Sequence, residues 1–195
     1  ADSDRSDFEV CVSVIGCRKY EELQRQFIRI NNAKPLPKEL IYELLPQVEA
    51  LPERLSSRAF AAKLTDQLNH GETSLKKQIK QHTNPDGVIS SNAIQKVIMN
   101  SRTNGALRDI VVTGGSEEEC VALVSEFYAA VQDTFPSAWF GCTPKNSRLI
   151  HSAGIVSLGY VMEMAATLYG MRSRAEFRDI LALLDGHTAW TDGLW

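Results

Sequence analysis

Arg148-Leu-Ile-His-Ser-Ala-Gly-Ile-Val-Ser-Leu-Gly-Tyr-Val-Met-Glu-Met-Ala-Ala-Thr-Leu-Tyr169 is apolar on nearly every face of a helix. A helix without a polar face belongs in the middle of a domain, so this run reads as a central, buried helix. Gly154 and Gly159 each cost about 1 kcal/mol of helix propensity against alanine. Close approach of a neighbouring helix is the expected compensation. The tract from Ala153 to Met162 is about half of the ~20 residues a membrane span needs, and it runs into Glu163. The expected surroundings are therefore protein, not lipid.

On both sides of this run the punctuation is helical. Ser116 with Glu119 has capping-box spacing and leads into Cys120, Val124, Phe127 and Val131 on one stripe. Ser173 with Glu176 repeats the pattern ahead of Phe177, Ile180, Leu181 and Leu184. Ser90 or Ser91 caps a helix with Ile94, Val97 and Ile98 inward, ending over Arg102–Gly105. Pro52 opens a long helix with Leu55, Ala59, Leu64 and Leu68 on its stripe, stopped at Asn69-His70-Gly71. Leu23, Phe27 and Ile30 mark a helix over Tyr20–Asn31, and Pro37 starts Lys38–Leu45, which ends before Pro46. For Thr73–Gly87 a short helix is expected, then a turn at Asn84-Pro-Asp-Gly87.

One segment reads otherwise. Phe8–Ile15 (FEVCVSVI) alternates and is valine-rich, as a strand does. A lone strand makes no stable sheet. The opening Ala1-Asp-Ser-Asp-Arg-Ser-Asp7 has no initiator methionine and runs straight into it. Together these features suggest a chain cut from something longer, whose other strands lie upstream.

The 195 residues are 44% hydrophobic and 23% charged, an ordinary globular composition. A net charge of −3 argues against a generally basic nucleic-acid binder but leaves room for a local basic face. Cys11, Cys17, Cys120 and Cys142 form no CxxC pair, which suits reduced thiols in the cytoplasm. No signal peptide opens the chain.

Catalytic and cofactor motifs do not emerge. His70, His82, His151 and His187 lack metal-ligand spacing, so no metal is expected. Cys142 with His151 nine residues on is a conceivable thiol–base pair, against the plainer reading of a half-buried loop cysteine. Thr113-Gly-Gly-Ser116 opens a helix like an anion loop, but Glu117, Glu118 and Glu119 follow and would repel phosphate. No nucleotide cofactor is expected there. Basic residues gather in three places. Lys34 and Lys38 flank a proline turn beside Asn31 and Asn32, Lys76 and Lys77 lie near Lys80, and Arg172, Arg174 and Arg178 form the third. Amides and lysines on a tight turn can hold phosphates. Asn31, Asn32, Lys34, Lys38, Lys76 and Lys77 are therefore the candidate nucleic-acid contacts. The plain alternatives are solvated faces and an Asn31 that caps the helix it ends.

Phe27-Ile-Arg-Ile-Asn-Asn-Ala-Lys-Pro-Leu-Pro-Lys-Glu-Leu-Ile-Tyr-Glu-Leu-Leu-Pro46 resembles the stretch that follows the DGQHR motif in DGQHR-domain proteins, among them the DndB-type proteins linked to DNA phosphorothioation. The likeness extends, more diffusely, through Leu68-Asn69, Ser74-Leu75, Ile89–Ile98, Phe127–Trp139 and Ser147-Arg-Leu149, from about Val10 to Tyr169. The pentapeptide itself is absent, and Asp185-Gly-His187 does not replace it. The resemblance implies a mainly α fold in which residues 1–32 end a ParB-like α/β half and residues 33–195 form a helical domain. It implies a DNA-associated regulator or accessory protein of a DNA-modification or restriction system. Its partners would be DNA and either the upstream half or further copies of the chain, with no membrane. It carries over no catalytic residue. Two other functions stay open: the scaffold part of a ParB-like nucleotide hydrolase or nuclease, and a protein-interaction module of a phage-defence complex.

Overall fold

The computed structural model describes Val14 and residues 16–30 and 53–192. Among these, eight α-helices and one short parallel strand pair are found, so the fold is mainly α. The expected strand Phe8–Ile15 (apart from the exposed Val14), the helix Lys38–Leu45, the boundary at residues 32–33, and Asn31, Asn32, Lys34 and Lys38 lie outside the described residues.

Helix α1 is Tyr20–Ile30, with Glu21 and Glu22 in the first turn, where acids favour a helix N-terminus. Helix α2 is Glu53–His70, α3 Ser91–Asn104, α4 Ala106–Val112, α5 Glu117–Thr134, α6 Pro136–Trp139, α7 Ser152–Leu168 and α8 Arg174–Leu181, followed by a 3₁₀ turn over Ala182–Leu184. Helix α3 packs against α2 on one side and α7 on the other, while α5 packs against α8 and α2. Between them lie Leu64, Leu68, Ile94, Ile98, Phe127 and Tyr128, all without exposed surface. Burial of each such side chain favours the fold by about 1.5–3 kcal/mol. Phe127 meets Tyr128 and Phe177 edge to face, with ring centroids 5.3 and 5.2 Å apart. The buried Tyr128 hydroxyl donates to the Ile155 carbonyl at 3.0 Å, and burial pushes its phenol pKa well up.

Helix α7 differs from the expectation of burial all round. Ile155, Leu158, Met162 and Ala165 are buried, yet Tyr160, Met164 and Leu168 are exposed one turn apart along the opposite face. Enough of the surface is covered by α3, α4 and α8 for one side only. The glycines divide in their reasons. A Cβ at Gly159 would stand 2.7 Å from a Val97 methyl on α3, so this glycine admits a neighbouring helix. At Gly154 the obstacle is the Arg148 carbonyl, with the Leu149 carbonyl next at 2.6 Å, both in the chain's own preceding loop.

The expected short helix within Thr73–Gly87 does not form. Turns occupy residues 74–78, and Ile79–Lys80 (β1) pairs in parallel with Ile89–Ser90 (β2), Ile79 opposite Ile89. The cause is Asn69, buried at the end of α2. Its side chain accepts from the Ile79 N–H at 3.1 Å and donates to the Ile79 carbonyl at 2.9 Å and to Gln81 Oε1 at 2.5 Å. Asn84 adds Nδ2 donation to the Lys77 carbonyl at 3.0 Å and the Ile79 carbonyl at 2.8 Å. Helical bonds within the segment lose to these tertiary ones. Gly87 lies so close to the Ile79 backbone that a Cβ would collide with it.

Candidate nucleic-acid interface

The segment that leads into β1 is tied to α5 and α6, which sets the β1–β2 loop beside the α6–α7 loop. Trp139 Nε1 on α6 donates to Gln78 Oε1 at 2.7 Å, just before β1. Gln132 Nε2 on α5 donates to the Ser74 carbonyl at 2.7 Å, and Ser74 Oγ donates to the Ser125 carbonyl at 2.7 Å. The α6–α7 loop is knotted on itself. Asn146 Oδ1 accepts from the Thr143 N–H at 2.6 Å, Ser147 Oγ donates to the Ala138 carbonyl at 2.7 Å, and the Arg148 N–H donates to the Trp190 carbonyl at 2.7 Å.

The result is a groove of about 680 Å³ lined by Lys80, Gln81, His82, Pro85, Gly87, Val88, Ser90, Ser91, Thr143 and Pro144. Pro144 also borders a smaller notch of about 290 Å³ with Lys145, Ser147, Arg148 and His151. Among the described residues, no aspartate or glutamate lines either space. Among the described residues, neither Lys80 nor Lys145 enters an ion pair. Acidic groups gather elsewhere: Glu72, Glu118 and Glu126 border a separate hollow between α2 and α5. Charge is thus segregated although the whole chain is net negative, and a basic, acid-free concavity attracts anions.

The residues anticipated from sequence fall as follows. Lys76 pairs with Glu72, and Lys77 is exposed with a left-handed φ of 58°, its N–H donating to the Asn69 carbonyl at 2.8 Å. Neither lines the groove, whereas Lys80 of the same cluster does. The arginine cluster is largely spent internally. Arg174 holds Asp133 with two bonds of 2.6 Å, and Arg172 donates to the Ala166 and Met171 carbonyls at 2.7 Å. That pairing holds the Asp133 carboxyl below its usual range. Ser116 caps α5 by accepting from the Glu119 N–H at 3.3 Å, and Glu117 reaches Lys63 at 2.6 Å. The Gly114–Gly115 loop is therefore a capped helix start.

Cys142 and His151 do not form a thiol–base pair. The Cys142 thiol donates to the Ser137 carbonyl at 3.4 Å, and His151 Nδ1 accepts from the Ala153 N–H at 3.2 Å. Cys120 is buried on α5, and desolvation raises its pKa, which keeps it a thiol. Among the described residues, no group of three or more His, Cys, Asp or Glu side chains converges as metal ligands. No helix there is long and apolar enough to cross a membrane.

Sequence reasoning passed over His82, Lys145 and Arg148. His82 lies far along the chain from Lys145 and Arg148, and the three follow no spacing rule, so only the folded arrangement groups them. No family model, no curated protein and no solved structure matches the chain.

Proposed function

We propose that this chain is a DNA-associated helical domain of the DGQHR, DndB-like kind, serving as a regulator or accessory part of a DNA-modification or restriction system. The observation that carries the DNA contact is the acid-free groove bearing Lys80 and His82, with Lys145 and Arg148 in the adjoining notch. The family part rests on the Phe27–Pro46 segment. Lysines placed this way neutralise phosphates, release counterions and give binding that weakens as salt rises.

The test is fluorescence anisotropy of labelled DNA with the 195-residue chain over a salt series. Lys80→Glu with Lys145→Glu is expected to weaken binding about tenfold or more and to flatten the salt slope by roughly one unit per lysine lost. Unchanged affinity and slope would remove the groove from the interface. Lys34→Ala with Lys38→Ala tests the proline turn in the same assay. The family assignment is tested separately, by reading the frame upstream of Ala1 for a DGQHR motif; a frame without one overturns it.

A second reading, a protein-interaction module, draws on the exposed Tyr160, Met164 and Leu168 of α7. An exposed apolar stripe is where a protein partner buries surface. Leu168→Glu that abolishes partner co-purification, in a protein without DNA affinity, would favour it.

A further inference from the structure

We infer that the groove accepts an unpaired nucleotide, so that the preferred ligand is single-stranded rather than duplex nucleic acid. This deepens the DNA-association reading and rests on it.

The argument is the division of chemistry across the two spaces. The larger one has a volume of about 680 Å³, within the ~300–1,000 Å³ that holds a small organic group. Its walls are Pro85 and Val88 on one side and Pro144 on the other. A bare phosphate gains nothing from such walls, whereas the flat, largely apolar face of a base sheds water against them. Duplex DNA turns its phosphates outward and keeps its base faces stacked, so it can reach the lysines but cannot fill an apolar slot. An unpaired strand can splay a base into it.

Two polar groups lining the groove are themselves almost fully buried: Gln81 at 6% exposure and Ser91 at 4%. Asn69 Nδ2 donates to Gln81 Oε1, which fixes the Gln81 amide at the groove wall. Ser91 Oγ is paired with the Gln95 amide at 3.1 Å, which fixes the hydroxyl at the groove wall. Polar groups fixed in this way suit the polar edge of a base. The notch beyond Pro144, with Lys145 and Arg148, then receives the attached phosphate. Apolar walls, buried polar groups and a basic notch in continuity describe a nucleotide better than either a phosphate or an apolar ligand.

The experiment compares anisotropy titrations of one labelled oligonucleotide, single-stranded and annealed to its complement, at the same salt. The expected result is single-strand binding about tenfold or more tighter than duplex binding. Val88→Asn and Pro144→Asn, one on each wall and neutral in charge, are expected to bring the ratio of single-strand to duplex affinity down toward one. Circular dichroism confirms that each variant is folded, and two walls keep the test open if one variant fails to fold. Equal binding of both forms, or wall variants that leave the preference intact, overturns the inference and leaves DNA association standing. Binding of neither form overturns both.

Discussion

Asn69 has no exposed surface, and its amide meets the N–H and carbonyl of Ile79 as well as the Gln81 side chain. Asn69→Ala would take the partner from the Ile79 N–H and from Gln81 Oε1, while the Ile79 carbonyl keeps Asn84 Nδ2, at a cost of about 1–3 kcal/mol for each unsatisfied group. We expect a loss of about 3 kcal/mol in urea unfolding; a loss under about 0.5 kcal/mol would mean the loop is held by something else. Gly159 makes the opposite kind of demand. Gly159→Ala pushes a methyl into Val97, an overpacking that costs about 1–3 kcal/mol. Val97→Ala in the same chain should return part of that loss, because the two positions share one contact. Sequence reasoning identified Gly159 correctly as a close approach, since a glycine in an apolar helix calls for one. It misjudged Gly154, because a clash with the chain's own loop leaves no periodic trace. It read Asn69 as a helix stop, since nothing local says that its amide faces inward.

The starts of helices were the most legible elements, because caps are local chemistry. The Ser173–Glu176 box forms in full. Ser116 makes only half of one: Ser116 caps the Glu119 N–H, but its hydroxyl hydrogen bonds to the Glu118 carboxyl, and this and Glu118's own N–H lower that carboxyl's pKa. Ser173→Ala should cost about 1 kcal/mol, read as a lower urea midpoint. The Glu176 carboxyl accepts from the Arg172 and Ser173 N–H groups and from the Ser173 hydroxyl, which hold its pKa at about 2. Its folded pKa lies below the ordinary glutamate value near ~4.3. Its contribution is therefore full above that value and disappears as the pH falls through about 2. Glu176→Gln keeps the capping geometry and removes the titration. Its stability curve should be flatter than the parent's over this acid window, and parallel curves would contradict the assignment. The strands β1 and β2 were not legible, since two residues each cannot show alternation and their pairing is imposed by Asn69 and Asn84.

For the whole molecule the informative quantity is where charge lies, not how much of it there is. A net charge of −3 averages a basic groove with an acidic hollow bounded by Glu72, Glu118 and Glu126. Composition argued against a basic binder for that reason, and the lysine clusters found by proximity in sequence included pairs that the fold neutralises. Lys76 with Glu72 is one, and Arg174 with Asp133 is another. Reversing Glu72 and Glu118 to lysine should strengthen anisotropy-measured DNA binding only slightly, about twofold at about 0.1 M salt, because screening over a Debye length of roughly 10 Å isolates the two faces. A large gain would show that the faces act as one field. The mainly α class was legible from helical periodicity, whereas the groove depends on contacts of α5 and α6 with the segment before β1 that no local pattern encodes.

Those contacts also place two natural fluorophores beside the groove. Trp139 is buried with its indole N–H on Gln78, next to the strand that carries Lys80. The Trp190 carbonyl holds the Arg148 backbone, and its ring rests against Phe135 at 5.7 Å between centroids. An occupant that shifts either loop is expected to change the emission of the indole behind it, read against the background of the third tryptophan, Trp195. Trp139→Phe and Trp190→Phe would separate the optical signal of one rim from that of the other.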